Sequence, residues 1–182
     1  IDRFTLSIKA SIWREENKRR AERSKMGKIA TLRQGRWPGS YRRWGYDSIK
    51  EPGKRGRKII ENPETAPIVR RIFEMYDAGS GVTEIRQYLM ANEVPQIYNS
   101  MVKHEWSTSL IGRILRSEEY LGKTTWEFKG GPTIEVDIPQ LVNRDLWQRV
   151  QRRMDRNKRL STRNAKGVYL LHLHDMEQAL KN

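Results

Sequence analysis

Hydroxyl and guanidinium side chains at helical spacing form the most suggestive chemical group in this sequence. Ser107, Thr108 and Ser109 stand before an apolar stripe, and Arg113 and Arg116 follow on the polar side of the same stretch. Side chains of these types hydrogen-bond base edges and phosphates when a helix tip enters a DNA groove. An ordinary amphipathic helix with a capped N-terminus has the same pattern, so the stretch alone does not decide between the two.

Metal or nucleophilic chemistry has weaker support from the residues. His172 and His174 would share one face of a strand and could hold a metal ion with Asp175, but such a pair near a chain end is more often incidental. Glu118 and Glu119 are adjacent, and adjacent side chains on a helix point about 100° apart, which makes them poor partners for one metal ion. We expect neither a metal site nor a catalytic residue here.

The overall composition favours a polyanionic partner. The 182 residues carry a formal net charge of +14, with 36% hydrophobic and 32% charged residues. Phosphate neutralisation with counterion release explains such an excess of Lys and Arg. No apolar run approaches the roughly 18 residues of a membrane span, so we expect no membrane partner. Cysteine is absent, which excludes disulfides and thiolate zinc sites within this sequence.

The elements that must position these groups begin with a long polar helix. From Ile1 to about Arg33 there is no proline, and the apolar stripe is weak. Basic residues outnumber acidic ones, so this helix is predicted to bridge, dimerise or lie along a charged surface instead of forming core. Because the sequence starts inside a helix and without methionine, we expect a piece of a longer protein.

A sharp break follows this helix. Gly35 is predicted to cap its end, Pro38 cannot continue it, and the proline disfavours helical backbone at Trp37. An extended segment carrying Arg36 could enter a minor groove, whose narrow form attracts arginine. An interdomain linker with Trp37 packed on a neighbour fits equally well, and the two interpretations are compatible.

A basic hairpin is predicted next. Strands at Tyr41–Tyr46 and Arg57–Ile60 flank the turn Pro52-Gly53-Lys54-Arg55-Gly56. A turn of this composition is usually solvated and mobile. Beside a nucleic-acid site it could instead clamp the phosphate backbone.

Three predicted helices form the middle of the chain. The first starts at Asn62-Pro63-Glu64, with an N-cap and a proline at the first position, and buries an apolar stripe between residues 68 and 76. Thr83 is predicted to cap the second, which buries Ile85, Tyr88 and Leu89 and ends by Asn92. A loop containing His104 leads to the third, which carries a hydroxyl tip formed by Ser107, Thr108 and Ser109. Three helices joined by short turns match a helix-turn-helix variant.

The remaining pattern completes an α+β fold that is mostly helical. Lys123–Phe128 and Thr133–Ile138 alternate as a second hairpin, and Asn143 opens a helix that runs to about Arg159. The prediction is a long N-terminal linker helix, then a helix-turn-helix-like helical domain with two small β-hairpins. Its expected boundaries are 1–34 for the linker helix, 35–160 for the domain and 161–182 for a joint.

Together these segments resemble the recombinase domain of large serine integrases and transposases. The resemblance runs from about Arg23 to Leu171, and the pattern between Trp106 and Gly122 is its most specific part. The residues that carry it are Gly35-Arg36-Trp37-Pro38-Gly39, Trp44-Gly45-Tyr46, Ile68–Tyr76 with Gly79, Trp106-Ser107-x-Ser109-x-Ile111-x-Arg113-Ile114-Leu115-Arg116, Tyr120-Leu121-Gly122, Leu146-Trp147-x-x-Val150-Gln151 and Tyr169-Leu170-Leu171.

The resemblance implies a parent that is a serine recombinase. Its family has an N-terminal catalytic domain, this DNA-binding domain and a zinc ribbon, and a serine attacks a DNA phosphodiester within a tetramer. Nothing here matches the nucleophile motif, since Ser7, Ser11 and Ser24 lack an arginine-rich pocket. We therefore expect no activity from this part alone. Zinc is expected only in a missing downstream domain, and dimer-to-tetramer assembly only through missing domains.

These observations predict sequence-specific binding of double-stranded DNA at a recombination attachment site. The chain would be the DNA-binding part of a bacterial or phage-encoded serine recombinase acting in the cytoplasm. The alternative is an RNA-binding module with the same basic surface, whose mark would be exposed aromatic side chains that stack on bases. Most of the six tryptophans are instead predicted to be core or hinge residues. A metal nuclease is the third hypothesis.

The predicted contacts divide by groove. Arg113 and Arg116, with the hydroxyl tip, are assigned to the major groove, and Arg36 to the minor groove. Gln34 and Arg33 are expected near phosphates. Further backbone contacts would come from Lys54, Arg55, Arg57 and Lys58. The predicted DNA-binding residues are Arg33, Gln34, Gly35, Arg36, Trp37, Arg42, Arg43, Lys54, Arg55, Arg57, Ser107, Thr108, Ser109, Arg113, Arg116 and Lys123.

Overall fold

The computed structural model describes residues 2–98, 101–103 and 105–160 and confirms an α+β, mostly helical fold. Its strands form three two-stranded antiparallel sheets within these ranges. In chain order the elements are α1 (Arg3–Arg33), β1 (Tyr46–Ile49), β2 (Lys58–Glu61), α2 (Ala66–Asp77), α3 (Val82–Ala91), β3 (Gln96–Tyr98), β4 (Met101–Lys103), α4 (Thr108–Arg116), a 3-10 turn (Glu118–Leu121), β5 (Lys123–Glu127), β6 (Thr133–Asp137) and α5 (Arg144–Leu160). None of the described helices combines the length and apolarity needed to cross a membrane.

The chain forms two compact units. The first contains the described parts of residues 1–70 and 117–142, and the second contains those of 71–116 and 143–182. The division falls within α2, between Arg70 and Arg71. The three-part boundaries predicted above stay a prediction, since residues 161–182 lie outside the described ranges.

In the first unit, α1 ends as the sequence predicts, with Gly35 at a left-handed φ of +68°. The Gly35 N–H donates to the Leu32 carbonyl (2.9 Å), and the Arg36 N–H donates to the Thr31 carbonyl (3.2 Å). One expectation changes here. Ile29 and Leu32 are buried, so the last turns of this polar helix do contribute to core.

The predicted strand Tyr41–Tyr46 is wrong. Gly45 has a φ of +88°, which breaks an extended run, and β1 starts only at Tyr46. A Cβ at Gly45 would lie 2.5 Å from Leu141 Cδ1, so only glycine fits both the backbone and the space. The second predicted strand corresponds to β2, which pairs with β1 in the register Tyr46 to Glu61.

The aromatic residues around this turn pack against one another in a continuous row. Ring centroids are 5.0–5.9 Å apart along the series Trp126, Trp37, Tyr41, Tyr46 and Tyr120. The Tyr46 hydroxyl donates to the carbonyls of Glu119 (3.2 Å) and Pro139 (2.8 Å). Burial raises the pKa of Tyr41 to about 12, so this core stays uncharged at any physiological pH.

Helix α2 begins in the first unit, and its later part forms the scaffold of the second unit with α3. Asn62 caps the chain entering α2, because its Oδ1 accepts from the N–H groups of Glu64 and Thr65 (both 2.9 Å). Ile72, Phe73, Ile85 and Leu89 are fully buried or nearly so. The second helix starts two residues earlier than a Thr83 cap predicts.

The cap of α3 and the segment after it differ from expectation. The Glu84 carboxylate accepts from the Gly81 N–H (2.8 Å), which places the cap at Gly81. Tyr88, expected in the core, is 37% exposed. Between α3 and α4 the chain forms a third hairpin, β3–β4, where the sequence predicts a loop, while His104 lies outside the described residues.

The second unit ends with α5, which holds the ends of two other helices. Asn143 opens it, accepting from the Asp145 N–H (3.0 Å) as predicted. Val150 is fully buried. Gln151 Nε2 donates to the Leu115 carbonyl at the end of α4 (2.6 Å), and Asn157 Nδ2 donates to the Tyr76 hydroxyl at the end of α2 (3.2 Å).

Candidate nucleic-acid interface

The helix α4 starts with an exposed hydroxyl tip. Ser107 caps it, since its Oγ accepts from the Leu110 N–H at 3.1 Å, as the sequence predicts. Ser107, Thr108 and Ser109 are all exposed. A helix N-terminus with free hydroxyls and a positive dipole end suits an anionic partner such as a phosphate.

The two arginines of α4 lie on the solvent side of the helix. Arg113 and Arg116 are exposed, whereas Ile111, Ile114 and Leu115 are buried, which confirms the predicted core face; Leu110, expected there too, is half-buried. Ser109, Arg113 and Arg116 are spaced i, i+4 and i+7, so they share one face of the helix. The helix thus presents one hydroxyl and two guanidinium groups on a single open stripe.

Trp106 fixes the N-terminal end of α4 to its scaffold. Its side chain is 1% exposed, and its indole N–H donates to the Val94 carbonyl at 2.9 Å. Arg86 Nε of α3 donates to the Trp106 carbonyl at 2.7 Å. With Gln151 holding the other end, α4 is attached at both termini and leaves its arginine stripe open.

In the first unit, Arg36 is not placed as the sequence predicts. Its side chain is buried, and its guanidinium donates to the Arg55 carbonyl (2.9 Å), the Gly56 carbonyl (3.4 Å) and Glu51 (2.5 Å). The expected insertion into a minor groove would break all three contacts. Arg36 instead joins the helix break to the basic turn, beside the paired backbone of Trp37 and Arg57. Arg36 and Lys54 both lower the pKa of the Glu51 carboxyl through their hydrogen bonds.

The other predicted basic contacts are mostly exposed, and several pair with carboxylates. The pairs are Lys54 with Glu51 (3.2 Å), Arg43 with Glu119 (2.7 Å) and Lys123 with Glu135 (2.5 Å). Arg33, Gln34, Gly35 and Arg42 are exposed, while Trp37 and Arg57 are half-buried. Exposed ion pairs of this kind contribute little stability, so a phosphate can replace the carboxylate at small cost.

Arg55 lies in a pocket that the sequence did not reveal. Its guanidinium occupies the space beside Gly27, where a Cβ would stand 2.4 Å from Nη2. The pocket, of about 130 Å³, is also lined by Ser24, Lys28 and Thr31 of α1. Lys28 and Arg55 make no ion pair with any carboxylate of the described residues. Only tertiary packing could show this site, because 27 residues separate the two cations along the chain.

The described residues contain no group of His, Asp and Glu side chains that could hold a metal ion. His172, His174 and Asp175 lie outside the described ranges. Glu118 and Glu119 belong to the 3-10 turn, and Glu119 accepts from the Thr124 hydroxyl at 2.8 Å. Nothing in the described part therefore favours the metal-nuclease hypothesis.

Comparison with known proteins places this arrangement in a family. A family model described as Recombinase matches residues 63–157, more than half of the chain. The chain belongs to the Recombinase family. The Recombinase match includes α2, α3, α4 and most of α5, and the resemblance seen in the sequence is confirmed. No curated protein matches the chain.

Two solved structures share the fold of this Recombinase chain. The first is a crystal structure of an LSR–DNA complex, with a TM-score of 0.54 at 20% sequence identity. The match covers 82% of this chain and 42% of the chain in that complex. The second comes from work on the sequence requirements of the Listeria innocua prophage attP site, with a TM-score of 0.52 at 20% sequence identity. The match covers 82% of this chain and 58% of the chain in that structure. This chain thus spans about half the length of the structures that it matches.

Proposed function

We propose that this chain binds double-stranded DNA sequence-specifically at a recombination attachment site, as the DNA-binding part of a site-specific serine recombinase. The observation that carries the proposal is the open stripe of α4. A helix held at both ends, with Ser109, Arg113 and Arg116 on its free face, has the form of a recognition helix in a major groove. Arginine at such a position reads guanine through O6 and N7.

The partners of similar structures support a DNA ligand. One is an LSR–DNA complex, and the other concerns a prophage attP site. The family membership and the net charge of +14 agree with this partner. The RNA-binding alternative has less support, because five of the six tryptophans are buried or half-buried, which leaves Trp13 as the exposed one, whereas base stacking needs several exposed rings.

The first unit would supply backbone contacts. Lys28 and Arg55, in the pocket between α1 and the basic turn, offer two cations to one phosphate, and the Ser24 hydroxyl lies in the same lining. Lys54, Arg43 and Lys123 would exchange their carboxylate partners for phosphates. Arg36 then acts by positioning the turn that carries Arg55.

The parent protein is part of the proposal. It would act in the cytoplasm on bacterial or phage DNA and assemble as a dimer to tetramer through other domains. Its serine nucleophile and any zinc would also belong to those domains. This part of the parent protein would bind DNA without cleaving it.

The test compares base readout with backbone contact. The preferred duplex is first selected from a random pool with the unchanged chain, and binding is then measured on that duplex and on mixed-sequence duplex. Arg113→Ala should cost about 1–3 kcal/mol on the selected duplex and little on mixed sequence, because it removes a base contact. Lys54→Ala, the matched control, should weaken both equally.

Three outcomes would contradict the proposal. Failure to enrich any sequence would remove sequence-specific binding. Equal losses for Arg113→Ala on both duplexes would remove Arg113 from base readout. Tighter binding to single-stranded RNA than to duplex at the same salt concentration would favour the RNA-binding alternative.

A further inference from the structure

Among the described residues, a groove on α5 is lined by arginines alone. Arg149, Arg152, Arg153 and Arg156 surround a concave space of about 260 Å³ in the second unit. None of these residues belongs to the set that the sequence pattern predicted. Four like charges within two helical turns are unfavourable unless each finds a partner, so the partner of each guanidinium decides what the groove does.

Two of the four arginines have partners within the second unit. Arg149 makes a two-pronged contact with the Asp77 carboxylate, with Nε–Oδ2 at 3.0 Å and Nη2–Oδ2 at 2.8 Å, and this hydrogen bonding lowers the pKa of Asp77. Arg153 donates to the carbonyls of Tyr76, Gly79 and Ser80 at the end of α2, and its guanidinium lies over the Tyr76 ring at 4.5 Å. A cation there satisfies the free carbonyls and opposes the helix dipole.

The other two arginines have no such role. Arg152 and Arg156 are exposed, and within the described residues neither forms an ion pair. Their i, i+4 spacing places them as neighbours on one face, where like charges repel in the absence of a ligand. An anionic ligand would turn this repulsion into a favourable interaction.

The position of the groove relative to α4 is fixed. Gln151, next to Arg152 in the chain, donates to the Leu115 carbonyl at the end of α4 at 2.6 Å. Both helices lie in the same compact unit. A duplex engaged by α4 therefore meets α5 in one defined orientation.

We propose that the Arg152–Arg156 face of α5 binds the phosphodiester backbone of duplex DNA, independently of sequence. This inference rests on the function proposed above and adds a second contact surface to it. A groove lined by guanidinium groups presents several positive charges and hydrogen-bond donors together, which is what the oxygens of successive phosphates require. The two structural arginines fix the helix, and the two free ones bind the phosphates.

The experiment measures duplex affinity against salt concentration for the double variant Arg152→Gln/Arg156→Gln. Two lost phosphate contacts should reduce the slope of log K against log salt by about 2, equally on selected and mixed-sequence duplex. When the salt concentration rises from about 50 to 200 mM, the double variant should therefore lose roughly tenfold less affinity than the unchanged chain. The melting temperature should stay unchanged, since both side chains are exposed, and Arg152→Lys/Arg156→Lys should restore most of the slope.

The matched control is Arg14→Gln/Lys18→Gln, another exposed i, i+4 pair without ion pairs, on α1. It removes the same charge and should change the slope by less. Equal changes in both double variants would mean that net charge alone acts, which overturns the inference. An unchanged slope in the α5 variant, with normal binding by the unchanged chain, also overturns it and leaves the proposed function intact. Absence of duplex binding by the unchanged chain would instead count against the proposed function.

Discussion

At the level of single residues, the surroundings of each guanidinium separate positioning from binding. Arg36 and Arg153 each donate to backbone carbonyls of distant loops, and Arg36 is buried while Arg153 is half-buried. Arg113 and Arg152 are exposed and keep their donors available. The residue type is the same in all four cases. Only the first pair is expected to matter for stability in the absence of DNA.

This distinction predicts the effect of Arg36→Ala. Loss of charged hydrogen bonds to the Arg55 and Gly56 carbonyls and to Glu51 should lower the free energy of unfolding by about 2–3 kcal/mol. Chemical denaturation of the two proteins measures the difference. The control is Arg33→Ala, an exposed arginine at the end of α1, which should change stability by less than about 0.5 kcal/mol. Equal stability of Arg36→Ala and the unchanged chain would return Arg36 to the candidate groove contacts.

At the level of elements, α4 depends on its attachments more than on its own sequence. It has only nine residues, which is too short for a stable isolated helix, and Gly112 in its middle weakens it further. Trp106 and Gln151 hold its ends, and its own Ile111 and Leu115 are buried against the rest of the unit. The orientation of its arginine stripe therefore follows from tertiary contacts.

Trp106→Ala should remove that support. Truncating a fully buried tryptophan leaves a cavity and an unpaired Val94 carbonyl, so the free energy of unfolding should fall by about 3–5 kcal/mol. Duplex affinity, measured where the variant is still folded, should fall with it because α4 loses its fixed position. Trp13→Ala provides the control, since Trp13 is 66% exposed on α1. A stable Trp106→Ala variant with full duplex affinity would show that α4 is held by other contacts.

At the level of the whole molecule, the positive charge is spread over both units. Exposed cations are found on α1, on the basic turn, on α4 and on α5. A net charge of +14 makes association with any polyanion favourable at low salt. Specificity must then come from the few side chains that reach base edges, not from the total charge.

The charge distribution predicts steep salt dependence. If about six or more phosphates are neutralised, the slope of log K against log salt should be near −5 or steeper on duplex DNA. Fluorescence anisotropy across a salt series gives this slope directly. A slope close to zero would contradict phosphate neutralisation as the main source of affinity.

The sequence alone determined the features that depend on neighbours a few residues apart. The caps at Ser107, Asn62 and Asn143 and the helix end at Gly35 are formed by hydrogen bonds over two to five residues, which a pattern can show. The helical periodicity likewise placed Ile111, Ile114 and Leu115 in the core. The order of these patterns was also enough to identify the family.

Only the tertiary structure decided which groups are free to bind. Arg36 is occupied by carbonyls 19 and 20 residues away in the chain, and Arg153 by carbonyls 73 and 74 residues away. Contacts at such separations leave no periodic signal, so the sequence could not show that Arg36 is buried or that Arg152 and Arg156 are exposed. The strand expected at Tyr41–Tyr46 was wrong for the same reason. Its aromatic residues are spaced for packing against Trp37 and Tyr120, and the left-handed turn at Gly45 serves that packing.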